Sequence, residues 1–274
     1  MSKTPIAPSL SALIEKFSQN DVIAEMEKEY QTAPARLVRL SLLDDNSYIG
    51  RVPLAPSIVE YFASTIKEKG IFNPLVLRPH GNRFEVVLGR KRYLGAKKAG
   101  TVSVPAVIRE MGDEEELLML LADNRDQKES NIVEMALVYQ ALRKRFGYTQ
   151  ETLASLSHQS RVQITNTERL LRLPVSLQEE VSLGELSYGH AKAIASLSQE
   201  EALQMAKEIE ERSLSVRETE ALVREKKKGS SLSQEEELRA KTKAKAVESK
   251  KKSVTFLFED EPSKQEFLYK LLRE

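Results

Sequence analysis

Tyr148-Thr-Gln-Glu-Thr-Leu-Ala-Ser-Leu-Ser-His-Gln-Ser-Arg-Val-Gln-Ile-Thr-Asn-Thr-Glu-Arg-Leu-Leu-Arg-Leu-Pro174 reads as a pair of short helices joined by a tight turn. Thr149 caps the first, with Leu153, Ala154 and Leu156 inside. Ser157 to Gln159 make the turn. Ser160 caps the second, whose inward residues are Val162 or Ile164, then Leu170 and Leu171. A small residue, Ala154, at the crossing completes a helix-turn-helix pattern. The turn asks for positive φ, which His158 adopts less readily than glycine but more readily than most residues. Outward on the second helix lie Arg161, Gln163, Thr165, Asn166 and Arg169, and Gln150 opens the first. Arg, Gln and Asn can pair bidentately with base edges, and hydroxyls reach phosphates. A helical hairpin with a solvated polar face has the same periodicity, so the stretch alone leaves both readings open.

Upstream, Ala35 to about Arg109 mixes strands and helices. Ala35 to Leu43 alternates as a strand. Ser57 with Glu60 three residues on has the capping-box pattern for a helix to Lys69, with Ile58, Phe62 and Ile66 inward and Gly70 as its stop. Pro74 to Pro79 and Phe84 to Leu88 form a hairpin about Gly81-Asn82. Gly89-Arg90-Lys91-Arg92 then stands between a strand and a helix start. There, free backbone N–H groups and converging cations suit a phosphate, although a basic surface turn would look the same. No Gly-Lys-Ser/Thr follows, so it is not a P-loop. In Asp123-Asn124-Arg125-Asp126, carboxylates and an amide share one helical turn and could hold Mg²⁺, or could be a solvated face.

The chain has 274 residues, 30% of them charged, with a net charge of +1, so only local charge can point to a partner. It has no cysteine, which excludes disulfides, thiolate metal sites and thiol nucleophiles. The histidines, His80, His158 and His190, are far apart, so no imidazole-held metal is expected. No apolar run approaches a membrane span and the start is not a signal peptide, so a cytoplasmic protein is expected. The expected fold class is α+β: an extension (1–35), a small mixed α/β domain (36–112), an all-helical domain (113–225), a lysine-rich linker (226–252) and a strand–helix element (253–274). Val254, Phe256 and Phe258 alternate, and Phe267, Leu268, Leu271 and Leu272 follow on a helix. So short an element cannot bury that face alone, which points to a homodimer, packing on the extension being the other option.

The order of these motifs resembles the ParB family of chromosome and plasmid partition proteins, from about Leu40 to about Leu197. Gly89-Arg-Lys-Arg-Tyr-Leu-Gly-Ala-Lys-Lys-Ala-Gly100 is similar to the family's Gly-Glu-Arg-Arg-x-Arg-Ala-Ala-x-x-Ala-Gly box. Arg78-Pro79, Val104 to Ile108, Asp123-Asn124, Asn131 with Glu134, Thr149-Gln150, Ser160-Arg161, Asn166-Thr167 and Arg169 to Leu171 follow in the family's order. Leu186-Ser-Tyr-Gly189-His190-Ala-Lys192-Ala193 is similar to its Leu-Ser-x-Gly-His-Ala-Arg-Ala element. The resemblance implies a homodimer gripping a short palindrome in double-stranded DNA through Thr149, Gln150, Ser160, Arg161, Gln163, Thr165, Asn166, Arg169, Gly189, His190 and Lys192. It implies CTP with Mg²⁺ held by Gly89, Arg90, Lys91, Arg92, Asp123 and Asn124, and closure into a sliding clamp. It also implies a ParA-type ATPase partner met by the N-terminal segment around Lys3, and a nucleoid-associated location without membrane contact. Arg90 stands where the family has Glu, Leu94 where it has Arg, and Asp123 where it has Glu. A non-enzyme with at most weak CTP hydrolysis is therefore expected. A ParB-like transcriptional or nucleoid regulator that does not spread is the alternative, and a nuclease or NTPase built on Asp123 and Asp126 is a third reading.

Overall fold

The computed structural model describes residues 34–126, 131–227, 246–250, 253–258 and 261–271. The first part runs β1 (Arg36–Arg39), β2 (Leu43–Asp44), α1 (Pro56–Lys69), β3 (Leu75–His80), β4 (Arg83–Leu88), α2 (Arg90–Ala99) and β5 (Ser103–Ile108). The sheet order is β1-β5-β3-β4-β2. The hairpin β3–β4 turns at Gly81, φ 60°, as the sequence predicts. The single strand expected over Ala35–Leu43 is instead broken by a 3₁₀ turn, Leu40–Leu42. That turn carries the chain from one sheet edge, β1 on β5, to the other, β2 on β4. Four strand spacings in a flat sheet would need roughly 19 Å, more than the roughly 14 Å that four extended residues reach, so the sheet curls. The turn also resets which residues point inward. Val38 and Leu43 are buried while Leu37 is exposed.

Helices α1 and α2 pack on each other above a core of Ile66, Leu75, Leu77, Val86, Tyr93, Ala96, Val104 and Ala106. Gly95 makes the approach possible, since a Cβ there would lie 2.6 Å from Phe62 Cβ. The expected cap at Ser57 is displaced. Pro56 occupies the first helical position, so Ala55 is the N-cap and offers no side-chain cap bond. Glu60 is released from the capping box and pairs with Lys98 of α2.

The helical part comprises α3 (Asp113–Asp126), α4 (Ile132–Phe146), α5 (Gln150–Leu156), α6 (Arg161–Arg169), α7 (Val175–Leu183), α8 (Tyr188–Ile194) and α9 (Gln199–Arg212). A further helix, α10, covers 216–227. Gly147 and Gly184 sit at φ 74° and 82°, and Pro174 and Ser187 are N-caps, so the helices break at residues that stop or start a helix locally. Helix α3 is a shared wall. Leu117, Leu118, Leu120 and Leu121 join Met135, Val138, Tyr139, Leu142, Leu153 and Ile164, while Met119 packs on Val76 and Val87 of the sheet.

Residues up to Glu208 form one compact unit and those from Ile209 another. In the second, β6 (Ala246–Lys250) and β7 (Ser253–Leu257) pair antiparallel before α11 (Glu261–Leu271). Strand β6 falls inside the stretch expected to be linker, so the C-terminal element has a strand more than its alternation advertised. Phe256 and Phe258 share the face that meets Phe267, with ring centroids 4.8 and 5.4 Å away. The extension through residue 33, with Lys3, and linker residues 228–245 lie outside the described residues. Among the described residues no helix is long and apolar enough to cross a membrane.

Candidate nucleic-acid interface and nucleotide loop

Helix α5 starts at Thr149, whose hydroxyl accepts from Thr152 N at 3.0 Å. The turn closes through His158 at φ 52°, the strained position expected there. Helix α6 opens with a full capping box: Ser160 Oγ accepts from Gln163 N at 3.2 Å, and Gln163 Oε1 accepts from Ser160 N at 2.8 Å. Ile164, Thr167 and Leu170 are the buried stripe. Between the sequence alternatives, Ile164 is the inward residue and Val162 faces out, 67% exposed.

A polar chain locks α5 to α6 and α4. Thr165 Oγ1 donates to Gln150 Oε1 at 3.1 Å, Gln150 Nε2 donates to Glu168 Oε2 at 2.7 Å, and Arg143 Nη1 meets both Glu168 oxygens at 2.9 and 2.8 Å. Gln150, Gln163 and Thr165, expected as contact residues, are thus engaged internally. Arg161 is exposed, and Asn166 and Arg169 are partly so, on the same helix. Helix α8, which carries Gly189, His190 and Lys192, touches α6. His190 Nδ1 lies 2.8 Å from the Ser187 hydroxyl that caps α8.

At the nucleotide loop, Gly89 is the N-cap of α2 with φ 93°, a left-handed conformation that favours glycine. The expected convergence of Arg90, Lys91 and Arg92 on one ligand does not occur. The Arg90 guanidinium turns inward, 8% exposed, and uses every edge. Nε meets Asp45 Oδ1 at 2.8 Å, Nη1 meets Glu134 Oε1 at 2.6 Å, and Nη2 donates to the carbonyls of Gly50 and Val52 at 2.9 and 2.8 Å. Its carboxylate partners are 45 and 44 residues away, out of sight of local sequence. The Arg92 guanidinium lies against Gly89 and donates to Asn73 and Pro74 carbonyls. Burial lowers its pKa and the charge of Asp123 opposes this, so the loop and α3 share one electrostatic neighbourhood. The Asn124 side chain lies outside the described residues.

A second buried polar cluster escaped the sequence reading. Arg78 meets Glu85 Oε2 at 2.7 Å, Asp113 Oδ1 at 2.8 Å and Glu116 Oε2 at 2.8 Å, with Glu85 and Glu116 essentially inaccessible. Asn46 Nδ2 donates to Glu116 Oε1 at 2.7 Å, and Ser47 N donates to Glu85 Oε1 at 2.5 Å. Burial, helped by the charge of Glu85, pushes the Glu116 carboxyl up to about 7. The cluster pins the loop that carries Asp45, Gly50 and Val52 to Arg90. Arg78 was visible as part of a motif, but its partners are dispersed in sequence.

Comparison with known proteins agrees with this architecture. Residues 24–125 match the ParB N-terminal domain and residues 128–228 the ParB HTH domain. The chain is 35% identical over 219 residues to a probable chromosome-partitioning protein ParB of Pseudomonas putida, covering 80% of this chain and 72% of that one. It is 40% identical over 190 residues to the chromosome-partitioning protein Spo0J of Thermus thermophilus, covering 69% and 70%. Similar solved structures include C-terminally truncated ParB from Caulobacter crescentus. Complexed to the centromeric parS site, it is 36% identical, covers 69% of this chain and 97% of that chain, and has a TM-score of 0.38. Complexed with CTP-gamma-S, it is 32% identical, covers 64% and 98%, and has a TM-score of 0.33. With its mixed α+β domain leading into a helix-turn-helix, the chain belongs to the ParB family of chromosome-partitioning proteins.

Proposed function

We propose that this chain grips a short palindromic site in double-stranded DNA as a homodimer, and acts from there in DNA partition. The observation that carries the reading is α6, capped and braced so that Arg161, Asn166 and Arg169 project from a helix fixed on α4. In this reading residues 36–112 form the nucleotide domain and 113–225 the DNA-binding domain, while the strand–helix element holds the dimer. The lysine-rich stretch adds sequence-independent attraction to phosphate. Binding of selected DNA fragments by anisotropy tests it. Arg161→Ala abolishes preference for the site while weak general binding persists, and equal weakening on all sequences would assign Arg161 to phosphate instead.

The nucleotide site fits CTP in part. Gly89 in its left-handed conformation and the first-turn N–H groups of α2 suit a triphosphate; Lys91 and Arg92 would be its cations, and Asp123 and Asn124 are the residues that would hold Mg²⁺. Arg90 is not among the ligands, being spent on Asp45 and Glu134. Arg92→Ala abolishes CTP binding in calorimetry with site binding intact, and unchanged affinity contradicts the assignment. A ParA-type ATPase met by the N-terminal segment completes the partition reading, and stimulation of such an ATPase by the full chain tests it. The inward Arg90 favours a second reading, a regulator that binds its site without spreading.

A further inference from the structure

Val162 is a large apolar residue left out of the core on the helix that otherwise presents polar groups. It is 67% exposed, whereas Ile164 two residues on is fully buried. Ser160 is the N-cap, so Val162 occupies the second position of the first turn of α6. Among the described residues, packing repays little of its presence there. Valine is a poorer helix former than alanine, and its exposed methyls gain no packing. Two of the neighbouring polar side chains are committed: Gln163 Oε1 to the capping box, and Thr165 Oγ1, whose one proton is shared between Arg161 O and Gln150 Oε1. In a helix-turn-helix the first turn of the second helix is the part that meets base edges. The major-groove edge offers one apolar feature, the methyl at pyrimidine C5. A β-branched side chain is stiff at χ1, so it loses little freedom when it packs on such a methyl.

We propose that Val162 is a specificity-determining residue that packs on the C5 methyl of a thymine in each half-site. The inference rests on the DNA-binding reading above and goes beyond it in assigning apolar readout to this position. The test uses the full chain and a site obtained by selection from random DNA. Each thymine in turn is replaced by deoxyuridine, which removes only the methyl, and affinity is measured for the wild type and for Val162→Ala. The expected result is one thymine per half-site whose replacement weakens wild-type binding about fourfold, with no such penalty for Val162→Ala. Placing 5-methylcytosine elsewhere in the site separates a thymine contact from a general response to methylated pyrimidines, which would overturn the thymine assignment. Circular dichroism checks that Val162→Ala keeps its fold, and Val162→Thr, which keeps the branch, is expected to retain an intermediate penalty. A wild type indifferent to every replacement, or a Val162→Ala variant with the same penalty, overturns the proposal while leaving site binding intact. Failure to select any site overturns the DNA-binding reading, and this proposal with it.

Discussion

Arg90 shows how one side chain can change its partners through tertiary structure. Local sequence sets it among cations at a helix start, where a phosphate is the natural partner. The fold turns it toward Asp45 and Glu134. Removing one member of a buried ionic set leaves the others uncompensated, so Arg90→Ala is expected to lower unfolding free energy by about 3–5 kcal/mol in urea titrations. Arg90→Lys is expected to recover little, because an ammonium cannot serve four acceptors in one plane. A loss below about 1 kcal/mol would contradict a buried role. Glu116 makes a second residue-scale prediction. Its folded pKa lies above its unfolded one, so its contribution is complete below the unfolded value of 4.5 and is lost as pH rises through about 7. Stability of the wild type therefore falls between about pH 4.5 and 7 by about 3 kcal/mol from this group. Glu116→Gln flattens that fall, and equal pH profiles of the two proteins by thermal melting would contradict the assignment.

Helix α6 could be read from its sequence in outline but not in detail. Its caps and breaks were legible because Ser160, Pro174 and the tolerant His158 act locally. Whether Val162 or Ile164 faces the core was not, since in a helix of nine residues the apolar stripe is too short to set its own phase. The structure decides it through contact with α4. The capping box at α6 was legible only by half: Ser160 reads as the cap, but Gln163 three residues on reads as a base contact, although the pair has the same pattern as Ser57 with Glu60. Pro56 cancels the box at α1 by taking the first helical position, and nothing cancels it at α6. Ser160→Ala and Gln163→Ala are therefore each expected to cost about 1 kcal/mol in stability. If Gln163→Ala left stability unchanged and altered only base preference, the side chain would have to leave the box on DNA.

In the unit up to Glu208, the sheet and the helices are joined by polar ties as well as by α3. Arg90 reaches Glu134, Arg51 Nη2 donates to Gln178 Oε1 at 3.0 Å, and Ser182 Oγ donates to Pro53 O at 2.6 Å. The order of motifs was enough to place the chain in its family and to expect both parts. The antiparallel hairpin was also legible from Gly81-Asn82. The parallel pairings, β3 on β5 and β2 on β4, were not, because each joins strands with a helix and a further strand between them. Phosphate contact makes binding depend on salt, so Arg169→Ala is expected to reduce the slope of log affinity against log salt by about one. An unchanged slope would place Arg169 away from phosphate. Partition by this chain requires that it load onto DNA at a specific site and act from there. Genome-wide immunoprecipitation of the protein from its own cells, read for the position and width of each peak, tests it most directly. A few sites flanked by broad shoulders of spread protein are expected, and enrichment without any preferred site would contradict loading at a specific site.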